Sequence, residues 1–273
     1  MKNRLGRLET QFLAYVQMRK KTLVRAGEVR EPLGLSRDQE KELFRRLTRG
    51  RMIARVRPGL FLVPERLPLG GAWTPTEIQA LNALIIEDRK GLYQICGPNT
   101  FNRYGYDEQI PNRTYAYNNK ISGDRKVGSV PLTLIKTSDE RLGATVAGKT
   151  ASGETAIYPT RERTLLDAVY DWARFDTLPR AFEWTRSDLK KGRITPQSLV
   201  DVVLKFGDVG TRRRFGYLLQ QESCEERLLR RLERSLKKPT SFIPFVPRRT
   251  KQGTIVVRWG VVDNEERTVS NGP

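Results

Sequence analysis

The sequence predicts an α+β protein, an N-terminal winged helix-turn-helix followed by a mixed α/β second domain. Three observations predict it. Residues 36–48 combine helical apolar spacing with a capping signal, a short basic hairpin follows directly, and from residue 76 further helical stretches alternate with short apolar strands. The first helix is expected at residues 4–19, with Leu5, Leu8, Phe12, Tyr15 and Val16 inward. Residues 23–31 read as a second, short helix and Pro32-Leu33-Gly34-Leu35 as a turn. Ser36 opens the next helix, which Gly50 stops. Ser36-Arg37-Asp38-Gln39 fits a capping box, in which serine hydroxyl and glutamine side chain satisfy each other's backbone donors. Leu43, Phe44 and Leu47 fall on one arc, Lys41, Arg45, Arg46 and Arg49 on the opposite one. Strands at 52–57 and 60–64 meet at Pro58-Gly59, and Arg51, Arg55 and Arg57 decorate that hairpin.

Residues 64–75 concentrate Pro and Gly and divide the chain into residues 1–66, a linker at 67–75 and a domain at 76–273. Thr74-Pro75-Thr76-Glu77 starts a helix with Thr74 as its cap, buries Ile78, Leu81, Leu84 and Ile85, and ends at Gly91. Strands are expected at 92–96, 114–117, 130–136 and 154–158, with a short helix inside 97–105. Helices follow at 163–174, with Leu165, Leu166, Val169, Tyr170 and Ala173 inward, then at 180–190 and 195–206. Residues 210–238 read as one long helix with nine basic and four acidic residues over 211–238. Strands at 241–246 and 254–262 close the fold, and residues 263–273 are expected to fray.

A net charge of +19 on 273 residues points to a polyanionic partner, because neutralising phosphates releases counterions. The charge is lopsided: residues 1–66 hold 17 Lys or Arg against 7 Asp or Glu, an excess of 10. The longest apolar window, residues 80–86, contains Asn82 and is far too short to span a bilayer, and the basic N-terminus leads into charged helix rather than an apolar signal core. A cytoplasmic protein without a membrane partner is expected. Cys96 and Cys224 are the only cysteines, which leaves no zinc-finger spacing and no disulfide framework. With no histidine in the chain, Ser-His-Asp and Cys-His mechanisms and His-ligated zinc are excluded. No catalytic residue, metal or cofactor is expected.

A charge run is more often a solvated face than a site. Here turn, cap and hairpin stand at the spacing that a winged helix needs, so the expected DNA-binding residues are Ser36, Arg37, Lys41, Arg45, Arg46, Arg49, Arg51, Arg55 and Arg57, with the helix in the major groove and the hairpin on phosphates. Arg212, Arg213, Arg214, Arg227, Arg230, Arg231 and Arg234 form a second candidate nucleic-acid surface, beside which a solvated helix face stands as the alternative. Tyr104, Tyr106, Tyr115 and Tyr117 with Arg103, Arg113 and Lys120 suggest a base-stacking cluster, or half-buried strand tyrosines. Two enzyme-like or RNA readings stay open. Asp167, Asp171 and Asp176 are candidate metal ligands of a nuclease, although Asp167 with Arg163 and Asp171 with Arg174 pair at helical spacing. Asp88-x-Lys90, Asp124-x-Lys126 and Asp188-x-Lys190 match a restriction-type signature, but two fall on expected helices and one beside a glycine turn. An RNA-binding role rests on charge and tyrosines.

The hairpin sequence Arg57-Pro-Gly-Leu-Phe-Leu-Val63 resembles the wing of AbiEi-type antitoxins. Gly91-Leu-Tyr93, Cys96-Gly-Pro-Asn-Thr100 and Arg103-Tyr-Gly-Tyr106 are similar to the opening of that family's second domain, and residues 159–167 match its P-x-x-x-x-T-L-x-D helix start. The resemblance covers most of residues 1–206. It implies the antitoxin half of a type IV toxin–antitoxin module, a transcriptional autorepressor that binds double-stranded DNA at its own promoter and neutralises a cognate nucleotidyltransferase-like toxin. The basic C-terminal quarter departs from the family pattern.

Overall fold

A computed structural model describes residues 6–66, 72–150, 153–238 and 240–265. It is an α+β fold, built as two compact units. One unit comprises the described parts of Met1–Ile95, Pro111–Leu142 and Ala147–Ile157; the other comprises those of Cys96–Ile110, Gly143–Val146 and Tyr158–Pro273. The expected linker lies partly outside the described residues, at 67–71, as does most of the expected C-terminal fray, at 266–273.

The first unit opens with α1 (Arg7–Met18), then β1 (Leu23–Arg25), the single-turn α2 (Arg30–Leu33), α3 (Arg37–Arg49), β2 (Ala54–Arg57) and β3 (Leu60–Leu62). Phe12 meets Phe44 edge-on at 5.7 Å, and Phe44 stacks on Phe61 at 4.4 Å. These rings tie α1, α3 and β3 into one apolar core with Val24, Leu43 and Leu47. The helix expected at 23–31 is corrected here. Leu23 and Arg25 pair antiparallel with Leu62 and Leu60, giving a sheet in the order β1-β3-β2. Gly27 then turns the chain at φ +98°, and the Arg25 N–H donates to the Glu28 carboxylate at 2.8 Å. Only the last turn before Gly34, itself left-handed at φ +61°, is helical.

The same unit continues with α4 (Glu77–Leu81), which passes into a π-helical turn at Asn82–Glu87. Its cap is Thr76, not Thr74: Thr76-x-x-Gln79 fits the capping box as well as Thr74-x-x-Glu77 does, and the hydrogen bonds form at Thr76. A mixed sheet follows, in the order β4-β5-β7-β6, from β4 (Tyr93–Ile95), β5 (Thr114–Asn118), β6 (Gly123–Val127) and β7 (Val130–Lys136). β5 and β7 run parallel and the other neighbours antiparallel. A Cβ on Gly128 would lie 3.0 Å from that of Ala54, so the β6–β7 turn is seated on β2. The body containing α3 therefore does not stop near residue 66. β8 (Thr145–Lys149) and β9 (Thr155–Pro159) form a separate two-stranded ribbon.

The second unit holds α5 (Pro98–Arg103), α6 (Arg161–Tyr170), the short α7 (Trp172–Phe175), α8 (Arg180–Lys190), α9 (Pro196–Phe206), α10 (Val209–Gln221), α11 (Glu226–Arg234) and a small sheet of β10 (Ile243–Pro244), β11 (Thr254–Val256) and β12 (Val261–Asp263). The long helix expected at 210–238 is two helices. Leu219 and Leu228 are nine residues apart and would face opposite sides of a continuous helix. The turn at Glu222–Glu225, with Ser223 at φ +52°, brings both into the core. The strand expected at 254–262 is likewise a hairpin: Gly260 at φ +63° reverses the chain and sends the Trp259 ring inside. Ala173, expected inward, is exposed because the helix breaks at Asp171.

Candidate nucleic-acid interface

Both ends of α3 are fixed by its own residues. The Ser36 hydroxyl accepts from the Gln39 N–H at 3.2 Å, the Ser36 N–H donates to the Gln39 side chain at 2.8 Å, and Gly50 ends the helix. Glu40 provides the lateral anchor. Its carboxylate, 3% exposed, accepts from the Gly27 N–H at 2.8 and 2.9 Å and from Arg30 Nε at 3.0 Å, clamping the turn after β1 to the flank of α3. Sequence reasoning missed Glu40. The available signal was its position three and four residues before Leu43 and Phe44, which puts a carboxylate on the inward arc.

A groove of about 520 Å³ runs beside α3, floored by Phe44 and Phe61. Arg37, Lys41 and Arg45 of α3 line it, joined by Arg30 of α2 and Arg55 of β2. Arg37, Lys41 and Arg55 are exposed and make no ion pair among the described residues. Arg45 donates through two nitrogens to Glu42 at 2.6 Å each; that bond holds the Glu42 carboxyl below its usual range and raises the Arg45 guanidinium.

The other expected residues lie elsewhere. Arg46 turns to α1 and pairs with Glu9 at 3.2 Å. Arg49 and Arg51 are exposed but do not line the groove, and Ser36 is occupied with capping. Arg55 and Arg57 would share one face of a regular strand. The register against Phe61 and Leu60 shifts between them, and Arg55 lines the groove whereas Arg57 does not. Arg57 instead donates to both oxygens of Asp88, at 2.8 and 2.7 Å. Asp88, whose side chain is 5% exposed, also takes Arg89 at 2.8 Å and Arg25 at 3.7 Å. The Arg57 hydrogen bond dominates in keeping the Asp88 carboxyl below its usual range.

The second expected surface does not assemble. Arg213 donates to the Ser241 carbonyl at 3.1 Å, and Arg214 to the Phe245 and Pro244 carbonyls at 3.2 and 3.3 Å. Both are buried, and burial pulls the Arg214 guanidinium down to about 10. Arg212 donates to the Leu204 carbonyl at 2.8 Å. These three bind the second unit's own backbone and are not a phosphate surface. On α11, Arg227, Arg230 and Arg231 pair with Glu225, Glu226 and Asp201, while Arg234 is exposed. The signs alternate there, as on an ordinary solvated face.

The tyrosine cluster also divides: Tyr115, Tyr117, Arg113 and Lys120 belong to the first unit, and Arg103, Tyr104 and Tyr106 to the second. Of the carboxylates weighed as metal ligands, Asp167 is 2% exposed and bound to Arg163 at 2.9 Å, Asp171 pairs with Arg174 at 3.7 Å, and Asp176 with Arg248 at 2.5 Å. Asp124, expected beside a turn, stands on strand β6 and accepts from Arg113 and Thr133, both at 2.8 Å. Among the described residues no group of three or more Asp, Glu, Cys or His is placed to hold a metal ion. No described helix is long and apolar enough to cross a membrane.

No family model matches the chain, and no curated protein matches it. The fold does have a solved counterpart. The chain is similar to the crystal structure of the RV2827C protein from Mycobacterium tuberculosis, at 14% identity and a TM-score of 0.55, over 96% of this chain and 92% of that one. At that identity the likeness is one of fold.

Proposed function

We propose that this protein is a DNA-binding transcriptional autorepressor acting through a winged helix-turn-helix, with α3 as the recognition helix and the β2–β3 hairpin as the wing. What carries the reading is the convergence of Arg37, Lys41, Arg45 and Arg55 on one groove beside a doubly anchored helix. Exposed guanidinium and ammonium groups in a row along a helix suit base edges in the major groove, and a basic hairpin suits the flanking phosphates. The excess of 10 positive charges in residues 1–66 supports the same partner. By its resemblance to AbiEi-type antitoxins, the protein neutralises a nucleotidyltransferase-like toxin encoded beside it.

The test of DNA binding is footprinting and titration of the DNA upstream of the protein's own reading frame across a salt series. Lys41→Ala or Arg45→Ala removes a base contact, costing about 1–3 kcal/mol at one position of the site. Arg55→Ala weakens all sequences alike and lowers the salt-dependence slope by about one. Wild-type binding by all three variants would remove the groove from the reading. The antitoxin role is tested separately, by rescue of cells that express the neighbouring nucleotidyltransferase-like frame.

A further inference from the structure

The second unit carries a band of stacked cations and rings that the DNA reading leaves unused. Arg103, at the end of α5, lies 3.9 Å over the Tyr158 ring. Arg161, the first residue of α6, lies 4.7 Å over Tyr104 and 5.9 Å from the centre of Tyr106. Tyr106 stacks on Trp184 at 5.3 Å and 13°. Asp188 locks this band. Its side chain is 1% exposed, it accepts from the Tyr106 hydroxyl, and it pairs with Arg161 and Arg193 at 3.3 Å each. One buried carboxylate thus orients two arginines that remain 30% and 46% exposed. Arg103, Lys190 and Lys191 add exposed positive charge and make no ion pair among the described residues.

The geometry points to a second nucleic-acid site on this band, one for a single strand, with unpaired bases stacking on the Arg103–Tyr158 and Arg161–Tyr104 layers and phosphates held by Arg193 and its neighbouring lysines. Guanidinium planes and phenol rings present flat polarisable faces, and only unstacked bases can use them. A duplex hides its base faces, and an acidic peptide would use the charges but leave the rings idle. The aromatic content therefore selects the single strand over both. The site is independent of the α3 groove and belongs to the other unit.

The experiment uses the full chain with fluorescein-labelled 12-mers of oligo-uridine and oligo-thymidine, read by anisotropy. Saturable binding is expected, and Arg103→Ala combined with Arg193→Ala weakens it by about tenfold or more while duplex affinity stays within about twofold. Lys41→Ala with Arg55→Ala does the reverse. Crosslinking a 4-thiouridine oligomer to the unmodified protein is expected to label residues 103–106 and 158–161, a readout that needs no variant to fold. Absence of saturable binding, loss caused by the first-unit pair alone, or crosslinks confined to the first unit would overturn the proposal. Displacement of the oligomer by poly-glutamate but not by unlabelled oligo-uridine would overturn it too, in favour of an acidic peptide.

Discussion

Asp88→Asn isolates the electrostatic seam that fixes the turn end of the β2–β3 hairpin. The substitution keeps size and removes the charge against which Arg57, Arg89 and Arg25 are set. Removing one partner of a buried pair costs about 3–5 kcal/mol, and an exposed pair is worth about 0–1. Asp88 is nearly buried, but Arg57 is 39% exposed and Arg25 54%, so solvent screens the seam from one side. The expected loss is about 1–2 kcal/mol. Whole-chain melting does not isolate it, because two units need not unfold in one transition. Hydrogen exchange in peptides spanning 54–62 and 82–95 does, with amide exchange about 5–30-fold faster in the variant. The direction with pH follows from the lowered carboxyl. Its stabilisation is complete above the unfolded value of about 3.8 and is lost as pH falls through the folded value. Wild type and variant therefore differ fully at pH 7 and converge below about pH 3.8. Equal exchange at pH 7, or a gap that widens on acidification, would refute the reasoning.

Ser36→Ala removes one half of the α3 capping box and is expected to cost about 1 kcal/mol, visible as faster exchange at the Gln39 amide while the Glu40 clamp still holds. Asp167→Ala withdraws the carboxylate bound to the fully buried Arg163 and should destabilise the second unit by about 3 kcal/mol in urea titration; a variant as stable as wild type would show that the pair is dispensable. Gly216→Ala would put a Cβ 2.3 Å from the ring of the fully buried Trp259; the expected cost is about 1–3 kcal/mol, with a shifted tryptophan emission.

Local signals determined what could be read from the chain. α3 carries its start, its apolar arc and its stop within fifteen residues, and α9 is announced in the same way by its Thr195-Pro196 start. β1 gives no local signal, because its strand character depends on β3, more than thirty residues on. β6 is almost wholly polar and exposed, so only its pairing with β7 marks it as a strand. The site divides along the same line. Periodicity puts Lys41, Arg45, Arg46 and Arg49 on one arc, of which Lys41 and Arg45 line the groove, whereas the fates of Arg46 and Arg57 depend on Glu9 and Asp88, which are distant in sequence. Arg213 and Arg214 look like surface charge until Ser241, Pro244 and Phe245 supply carbonyls about thirty residues downstream.

The interleaving of the two units has a consequence during synthesis. The first unit draws its last residues from Ala147–Ile157, after the chain has already contributed Cys96–Ile110 to the second. A chain emerging at about 5–20 residues per second therefore exposes α3 and its hairpin several seconds before the segments that complete their unit have left the ribosome. Meanwhile α5 waits for α6 and α8, which arrive later still. The first unit is complete only once Ile157 has emerged, the second only after the strands beyond residue 250, and neither is encoded by one uninterrupted stretch that could be exchanged between proteins as a cassette.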